Sequence, residues 1–316
     1  MAKKRKNLKR MKKQSSGAVA VILLALILIV GLVGVFYDPI AEFVGDLFGG
    51  GYSDSDDDYS STSEGSVTVH FVDVGQGDCT IICTENGNVI IDAGTNSSEE
   101  EMQAYIDKLG IKSFKYAIFT HPHEDHIGGA EVILRNYKVD NVIIPDYEAT
   151  TKVYTTMLDA IDESGANVKV IEANEEYSFS VGSLKAKILA PVEIDKDDNN
   201  NASIVTRFTF AKTSFLIMGD AEEDSEELIL QKYNKVQLKA DIIKLGHHGS
   251  NTSSGREFLE AVSPKVAIIS CGVDNKYGHP HQVTLEKLNS LGVEYHRTDK
   301  EGSIVYVISS DGYKLK

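Results

Sequence analysis

The decapeptide THPHEDHIGG, residues 120–129, places three histidines and two carboxylates within six consecutive positions, directly after the apolar run YAIF. His121 and His123 are two apart on extended backbone, so both rings can project to one side. Asp125 and His126 fall where the chain turns into a helix expected from near Ile127. Imidazoles with a carboxylate around a borderline cation is the donor chemistry of zinc. Four residues complete neither of two metal shells, so partners must come from elsewhere. GDAEED puts Asp220 directly after the apolar run FLIM, where a carboxylate could bridge two cations. GHHGSNTSSG puts His247 and His248 after another apolar run, IIKL. Each has a plain structural alternative: Asp125 as a helix cap, Asp220 as a turn residue, the paired histidines as surface groups. All three segments follow predicted strands, so they can converge on one sheet edge, and that shared position outweighs the separate alternatives.

Two further segments carry candidates. YGHPH adds His279 and His281 after KVAIIS, with a proline between them that makes a rigid turn. DVGQGD, residues 73–78, is a Gly-containing turn between strands and ends in Asp78. His70 and His296 lie within strands and read as packed or surface residues.

The elements that must position these groups begin at Ser66. Short β-rich runs alternate with helical segments, among them EEEMQAYIDKLG, IGGAEVILRNY, TKVYTTMLDAIDESG, EDSEELILQKYN, SGREFLEAVS and QVTLEKLNSLG, several closing on Gly. Many strands with interspersed helices suggest a layered α/β sandwich with helices outside. Nothing marks a second boundary within residues 66–316. The three cysteines include Cys79 and Cys83, four apart in a predicted strand and about 13 Å apart at about 3.3 Å per residue, too far for a disulfide. They read as small buried apolar residues.

Upstream, residues 1–16 are a basic tail and residues 17–37, GAVAVILLALILIVGLVGVFY, contain no charge. At about 1.5 Å per residue that run spans roughly 31 Å, the thickness of a bilayer core, and it exceeds the apolar region of a signal peptide. A single-pass anchor with the N-terminus cytoplasmic and the remainder outside the cell membrane is the expectation. Residues 38–65, rich in Gly, Ser and Asp, read as a solvated linker. The chain carries 32 Lys+Arg against 47 Asp+Glu; the first 13 residues hold eight of the basic ones and no acid, which leaves 24 against 47, a formal −23. Such a field repels polyanions over any broad face and excludes a general nucleic-acid-coating protein, though one cationic site could accept a phosphate.

In this order, FVDVGQGDC, VIIDAG, THPHEDHIGG, GDAEED, KLGHHGSNTS and YGHPH resemble the metallo-β-lactamase fold superfamily. Within it they are similar to the exported hydrolase domain of the ComEC competence proteins and their free-standing relatives. The resemblance covers about residues 66–316 and implies an α/β fold, a four-layer αββα sandwich, with two divalent metal ions at the sheet edge: Zn2+, with Mn2+ as the alternative. It implies His121 and His123 on the first ion, Asp125, His126 and His247 on the second, and Asp220 between them. The superfamily's usual mid-chain histidine is absent, since no His occurs between His126 and His247; the corresponding DDNNNASIV offers Asn or Ser.

Two cations about 3.5–4 Å apart can hold a hydroxide, here oriented by Asp125, and clamp substrate oxygens. Moving water from pKa 15.7 to about 7 is worth roughly 12 kcal/mol of proton affinity, which no side chain here supplies alone. His248 or His279 would stabilise charge or protonate the leaving oxygen. Ser250, Asn251 and Thr252, before a helix N-terminus, suit a phosphate oxygen, and Asp78 joins them on the substrate side. The expected activity is phosphodiester hydrolysis, of DNA or another nucleotide-bearing substrate, with no nucleotide cofactor. A β-lactam or thioester hydrolase and a non-catalytic DNA- or partner-binding module are the alternatives.

Overall fold

The computed structural model describes residues 65–316. The expected basic tail (1–16), transmembrane anchor (17–37) and all but the end of the linker lie outside the described residues. Among the described residues no helix is long and apolar enough to cross a membrane.

Two sheets organise the fold. The first contains β1 (Val67–Phe71), β2 (Thr80–Thr84), β3 (Gly87–Ile91), β4 (Ser113–Ile118), β5 (Lys138–Pro145) and β6 (Asn167–Ile171), and the C-terminal strands β14 (Ile304–Ser309) and β15 (Gly312–Leu315) pair onto β1, giving the order β15-β14-β1-β2-β3-β4-β5-β6. The second contains β7 (Ser178–Val181), β8 (Leu184–Ala190), β9 (Val205–Phe210), β10 (Thr213–Ile217), β11 (Ile242–Lys244), β12 (Val266–Ile269) and β13 (Glu294–Arg297) as neighbours in reverse order. Strands β10 to β13 run parallel, and β10, β11 and β12 are buried along their whole length. That double burial is why the sequence there reads as continuous apolar runs rather than alternation.

Three apolar clusters separate four layers. The first lies between the sheets and joins Val69, Ile118 and Ile143 of one to Phe208, Phe215 and Ile268 of the other. A second packs the first sheet against α1 (Glu99–Lys108), α3 (Ala130–Asn136) and α4 (Lys152–Ser164) through Met102, Ile106, Ile133 and Met157. The third packs the second sheet against α5 (Glu223–Lys232), α7 (Arg256–Val262) and α8 (Gln282–Leu291) through Ile229, Phe258, Leu259 and Leu288. This is the expected αββα sandwich. Helix α4 shows why its ends were legible: Thr151 Oγ1 accepts the Tyr154 N–H, and Gly165 takes the left-handed conformation at φ 69° just past the last turn.

One expected helix is divided. IGGAEVILRNY forms not one segment but α2 (Glu124–Ile127) and α3, with Gly128 and Gly129 between them. A side chain at Gly128 would collide with the Thr95–Asn96 backbone, and one at Gly129 with the Ala93 carbonyl. The glycines let the histidine turn pack directly against the chain leaving β3. Cys79, Cys83 and Cys271 are all free thiols.

Candidate metal centre

Strands β3 and β4 pair in parallel with Ile91 opposite Ile118, so the residues after them emerge side by side. The Thr120 N–H and hydroxyl both donate to the Asp92 carboxylate at 2.8 Å. Asp92 Oδ2 also accepts the His126 Nδ1–H at 2.7 Å, while Thr120 Oγ1 accepts the His121 Nδ1–H at 3.2 Å. One buried carboxylate thereby sets both imidazoles, with Nδ1 protonated and the Nε2 lone pair turned inward.

Asp220 receives them. It follows β10, and its Oδ1 lies 3.1 Å from His126 Nε2 without the alignment of a hydrogen bond, while its Oδ2 lies 3.7 Å from His121 Nε2. His121 Nε2 and His123 Nδ1 stand 3.1 Å apart, so the His-x-His pair presents one nitrogen of each ring to the same region. Strand β11, parallel to β10, delivers His248 beside them. Its Nδ1 meets the Ser270 carbonyl at 3.0 Å and Asp78 Oδ1 at 3.2 Å, both acceptors, so that nitrogen carries the proton. Its Nε2 then faces Asp125 Oδ2 at 3.3 Å and Asp220 Oδ1 at 3.6 Å.

His126 Nε2, His248 Nε2 and Asp220 Oδ1 are all buried without a hydrogen-bond partner. Lone pairs facing carboxylate oxygens in a dry site require a cation between them, and nitrogen with carboxylate oxygen is the donor set for a divalent ion. The residues present therefore fit the metals the fold implies. Two ligand groupings emerge, His121 with His123 and Asp220, and His126 with Asp220, His248 and Asp78, so the centre is of the dimetal type.

The electrostatics agree. Burial alone would raise the Asp220 carboxyl, but the imidazoles of His126 and His248 outweigh it and hold it well below the usual range. Burial likewise opposes charge on His248, yet Asp220 and Asp78 carry it up to about 9, and Asp220 and Asp92 do the same for His126. In the metal-free protein these rings hold protons where cations belong. Burial, with His126 next to it, keeps His121 neutral.

Several expected roles shift. Of the adjacent pair it is His248, not His247, that enters the buried cluster with His126; His247 lies toward the cleft, with Nδ1 donating to Glu222 Oε1 at 2.7 Å. Asp78 is not on the substrate side. It is buried behind His248, and its Oδ2 is ion-paired with Lys244, a fully buried ammonium that also donates to the Leu245 carbonyl at 2.8 Å. The loop of Ser250, Asn251 and Thr252 is also internally satisfied. The Asn251 N–H donates to His281 Nδ1 at 2.9 Å, and the Thr252 hydroxyl donates to Glu222 at 2.8 Å. The Ser254 and Gly255 N–H groups before α7 donate to Glu226 at 2.7 Å, so a buried carboxylate occupies the place foreseen for a phosphate oxygen. The loop braces the histidines instead.

The mid-chain stretch backs the site in place of a histidine. Asn199 meets His123 Nε2 at 3.0 Å, and Ser203 Oγ accepts the Asp220 N–H at 3.0 Å. Asp92, Lys244 and Glu222 were not singled out from sequence, whereas Asn199 belongs to the DDNNNASIV stretch that offered Asn or Ser. Asp92 and Lys244 had a signal, since each is a charge at the end of a strand that is otherwise apolar. His279, with a buried unpartnered Nδ1, and the exposed Tyr277 and Lys276 line a cleft of about 490 Å³ together with Gln76, His123, Asp125, Asp220 and His248.

A two-sheet sandwich with a histidine–aspartate dimetal centre at its edge defines a metal-dependent hydrolase class. The family model of the metallo-beta-lactamase superfamily matches residues 72–273, and the chain belongs to that superfamily. It is 32% identical over 263 residues to "ComE operon protein 3" of Bacillus subtilis (strain 168), covering 78% of this chain and 33% of that protein. It is 29% identical over 255 residues to "Competence protein ComA" of Neisseria gonorrhoeae, covering 80% and 34%. The chain thus spans about a third of the length of the curated relatives it matches. Among solved structures it resembles the metallo-beta-lactamase fold protein YhfI from Bacillus subtilis, with a TM-score of 0.50 and 11% identity over 77% of this chain and 100% of that one, a likeness of fold alone.

Proposed function

We propose that this chain hydrolyses phosphodiester bonds, in DNA or another nucleotide-bearing substrate, with two Zn2+ or Mn2+ ions at the cluster. The observation that carries the reading is the Lys276–Tyr277–His279 wall of the cleft. Lys276 Nζ lies 4.9 Å from the Tyr277 ring centroid, and Tyr277 stacks on His279 at 5.6 Å and 21°. An exposed ring that can stack a base, beside a cation that can meet a phosphate, gives an acidic protein a local site for a polyanion.

The ions, when bound, would polarise a phosphoryl oxygen and lower the pKa of water. Asp125, 3.3 Å from His248 Nε2, would orient the attacking water's proton. Burial, with His248 and His247 nearby, pushes His279 down to about 4, so the neutral ring can donate a hydrogen bond to a phosphoryl or leaving oxygen at neutral pH. The apolar run 17–37 after a basic block supports an anchor that holds this domain outside the cell membrane.

The purified full-length chain, loaded with Zn2+ or Mn2+, should cleave bis-p-nitrophenyl phosphate and DNA, and the His121→Ala plus Asp125→Ala variant should not. Metal-loaded protein that turns over nitrocefin or a thioester but neither phosphodiester would overturn the assignment in favour of the alternative hydrolases.

A further inference from the structure

Four histidines meet one carboxylate in the same way. His121, His126 and His248 each commit Nδ1 to a neighbour, Thr120, Asp92 and the Ser270 carbonyl respectively, and turn Nε2 to Asp220. His247 repeats the pattern: Nδ1 donates to Glu222 Oε1 at 2.7 Å, and Nε2 lies 3.9 Å from Asp220 Oδ2. The two oxygens of Asp220 divide these rings. Oδ1 faces His126 at 3.1 Å and His248 at 3.6 Å; Oδ2 faces His121 at 3.7 Å and His247 at 3.9 Å.

We propose that the tandem His247–His248 serves both ions, His248 holding the second and His247 the first, so that His247 takes the place of the mid-chain histidine this sequence lacks. The inference rests on the two-ion reading of the centre. Two adjacent side chains ordinarily diverge too far for such sharing. Here both residues adopt left-handed backbone, φ 46° for His247 and φ 53° for His248, in a short turn between β11 and the serine loop. Non-glycine residues in that region are strained, and two in succession persist only where the surroundings over-determine them.

The surroundings here do so. Glu222 is fixed by three donors: His247 Nδ1, the Thr252 hydroxyl at 2.8 Å and Asn200 Nδ2 at 3.1 Å. A carboxylate backing a histidine ligand fixes its tautomer and raises its basicity, the relation Asp92 already bears to His126. The first ion would then have His121, His123, His247 and Asp220 Oδ2. His123 and His247 are the partly exposed members of the set, and both line the cleft. An ion held by this set would therefore face the substrate side.

The test is metal content and affinity in the full-length chain, read with Zn2+ and with Mn2+ by elemental analysis and chelator competition. Wild type should hold two ions. His247→Ala should hold one, and adding His121→Ala to it should still leave one, because both ligands belong to the same ion. Adding His126→Ala instead should leave none. Two ions retained in His247→Ala, or none in the His247→Ala/His121→Ala pair, would overturn the proposal. Wild type with a single ion would remove the two-ion reading, and this inference with it. If His247→Ala does not fold, Glu222→Gln decides the matter: one ion should weaken by about 10–100-fold while the other is unchanged. An unchanged pair of affinities there would also defeat the proposal.

Discussion

Asp92 Oδ2 and His126 Nδ1 lie 2.7 Å apart at the base of the metal centre, in a place where solvent does not reach. Asp92 also takes both donors of Thr120, whose hydroxyl in turn accepts from His121. A single carboxylate thus holds a ring of each metal grouping in the tautomer that frees Nε2.

Asp92→Asn therefore has a specific consequence. Its amide would offer an N–H to His126 where the native carboxylate accepts one, and the ring would have to turn its proton inward. Metal affinity should fall by about 10–100-fold and turnover at limiting metal should fall with it. Chelator competition on the folded variant measures the first quantity, and excess metal should restore part of the second. An unchanged metal affinity would count against the orienting role.

The Lys244–Asp78 pair is completely enclosed, so breaking it should be costly. Lys244→Ala leaves the buried Asp78 carboxylate with only the His248 imidazole, 3.2 Å away, to balance it, and a loss toward the lower end of about 3–5 kcal/mol of folding stability is expected. Lys244→Met combined with Asp78→Asn removes both charges and should recover most of that loss. Urea denaturation of the metal-free proteins compares the two, and equal destabilisation by both variants would show that the charge pairing is not what matters.

Glu226 gives the stability a pH dependence that is independent of metal. Burial is the largest influence on its carboxyl and, despite the Gly255 and Ser254 N–H groups, raises it from the ordinary 4.5 to about 7. A group bound more tightly to its proton when folded contributes stability that is fully present below the unfolded value and is lost as pH rises through the folded one. The window runs from about 4.5 to 7, and the loss is about 3 kcal/mol at 1.36 kcal/mol per unit. The difference in unfolding free energy between wild type and Glu226→Gln should change across this window and flatten above it. A constant difference from pH 4 to 8 would contradict the shifted carboxyl.

Substrate contacts should separate from chemistry at the cleft wall. Tyr277→Ala should raise KM for a nucleotide-bearing substrate by an amount equivalent to about 1–3 kcal/mol, with a smaller effect on bis-p-nitrophenyl phosphate. Lys276→Ala should raise KM and reduce the salt dependence of binding, with kcat largely kept. Steady-state kinetics at two ionic strengths distinguishes these outcomes from a general loss of activity.

The dimetal motif was legible because it is local. His121, His123, Asp125 and His126 lie within six residues, and their spacing alone sets which sides they face. Asp220 and the paired histidines could be added because strand C-termini in parallel sheets lie together, which the apolar runs before them already signalled. The alternation of strands and helices indicated a layered α/β sandwich with helices outside, and the family resemblance supplied its αββα order. The division of α2 from α3 escaped, since the reason for it is contact with residues about 30 positions earlier.

What the sequence determined by itself was the chemistry: a histidine–aspartate centre at a sheet edge, in an acidic α/β sandwich held without disulfides. Which neighbour does which task was left to the tertiary structure. His247 and His248 are indistinguishable as adjacent letters, and two left-handed backbone turns decide which ring is buried with His126 and which rests on Glu222. Asp78 and the serine loop resemble substrate contacts until Lys244 and Glu226 arrive from distant segments and occupy their hydrogen-bonding groups. Ligand type is a property of single residues, whereas ligand assignment depends on where hydrogen-bond partners fall in space, and only the folded chain brings those partners together.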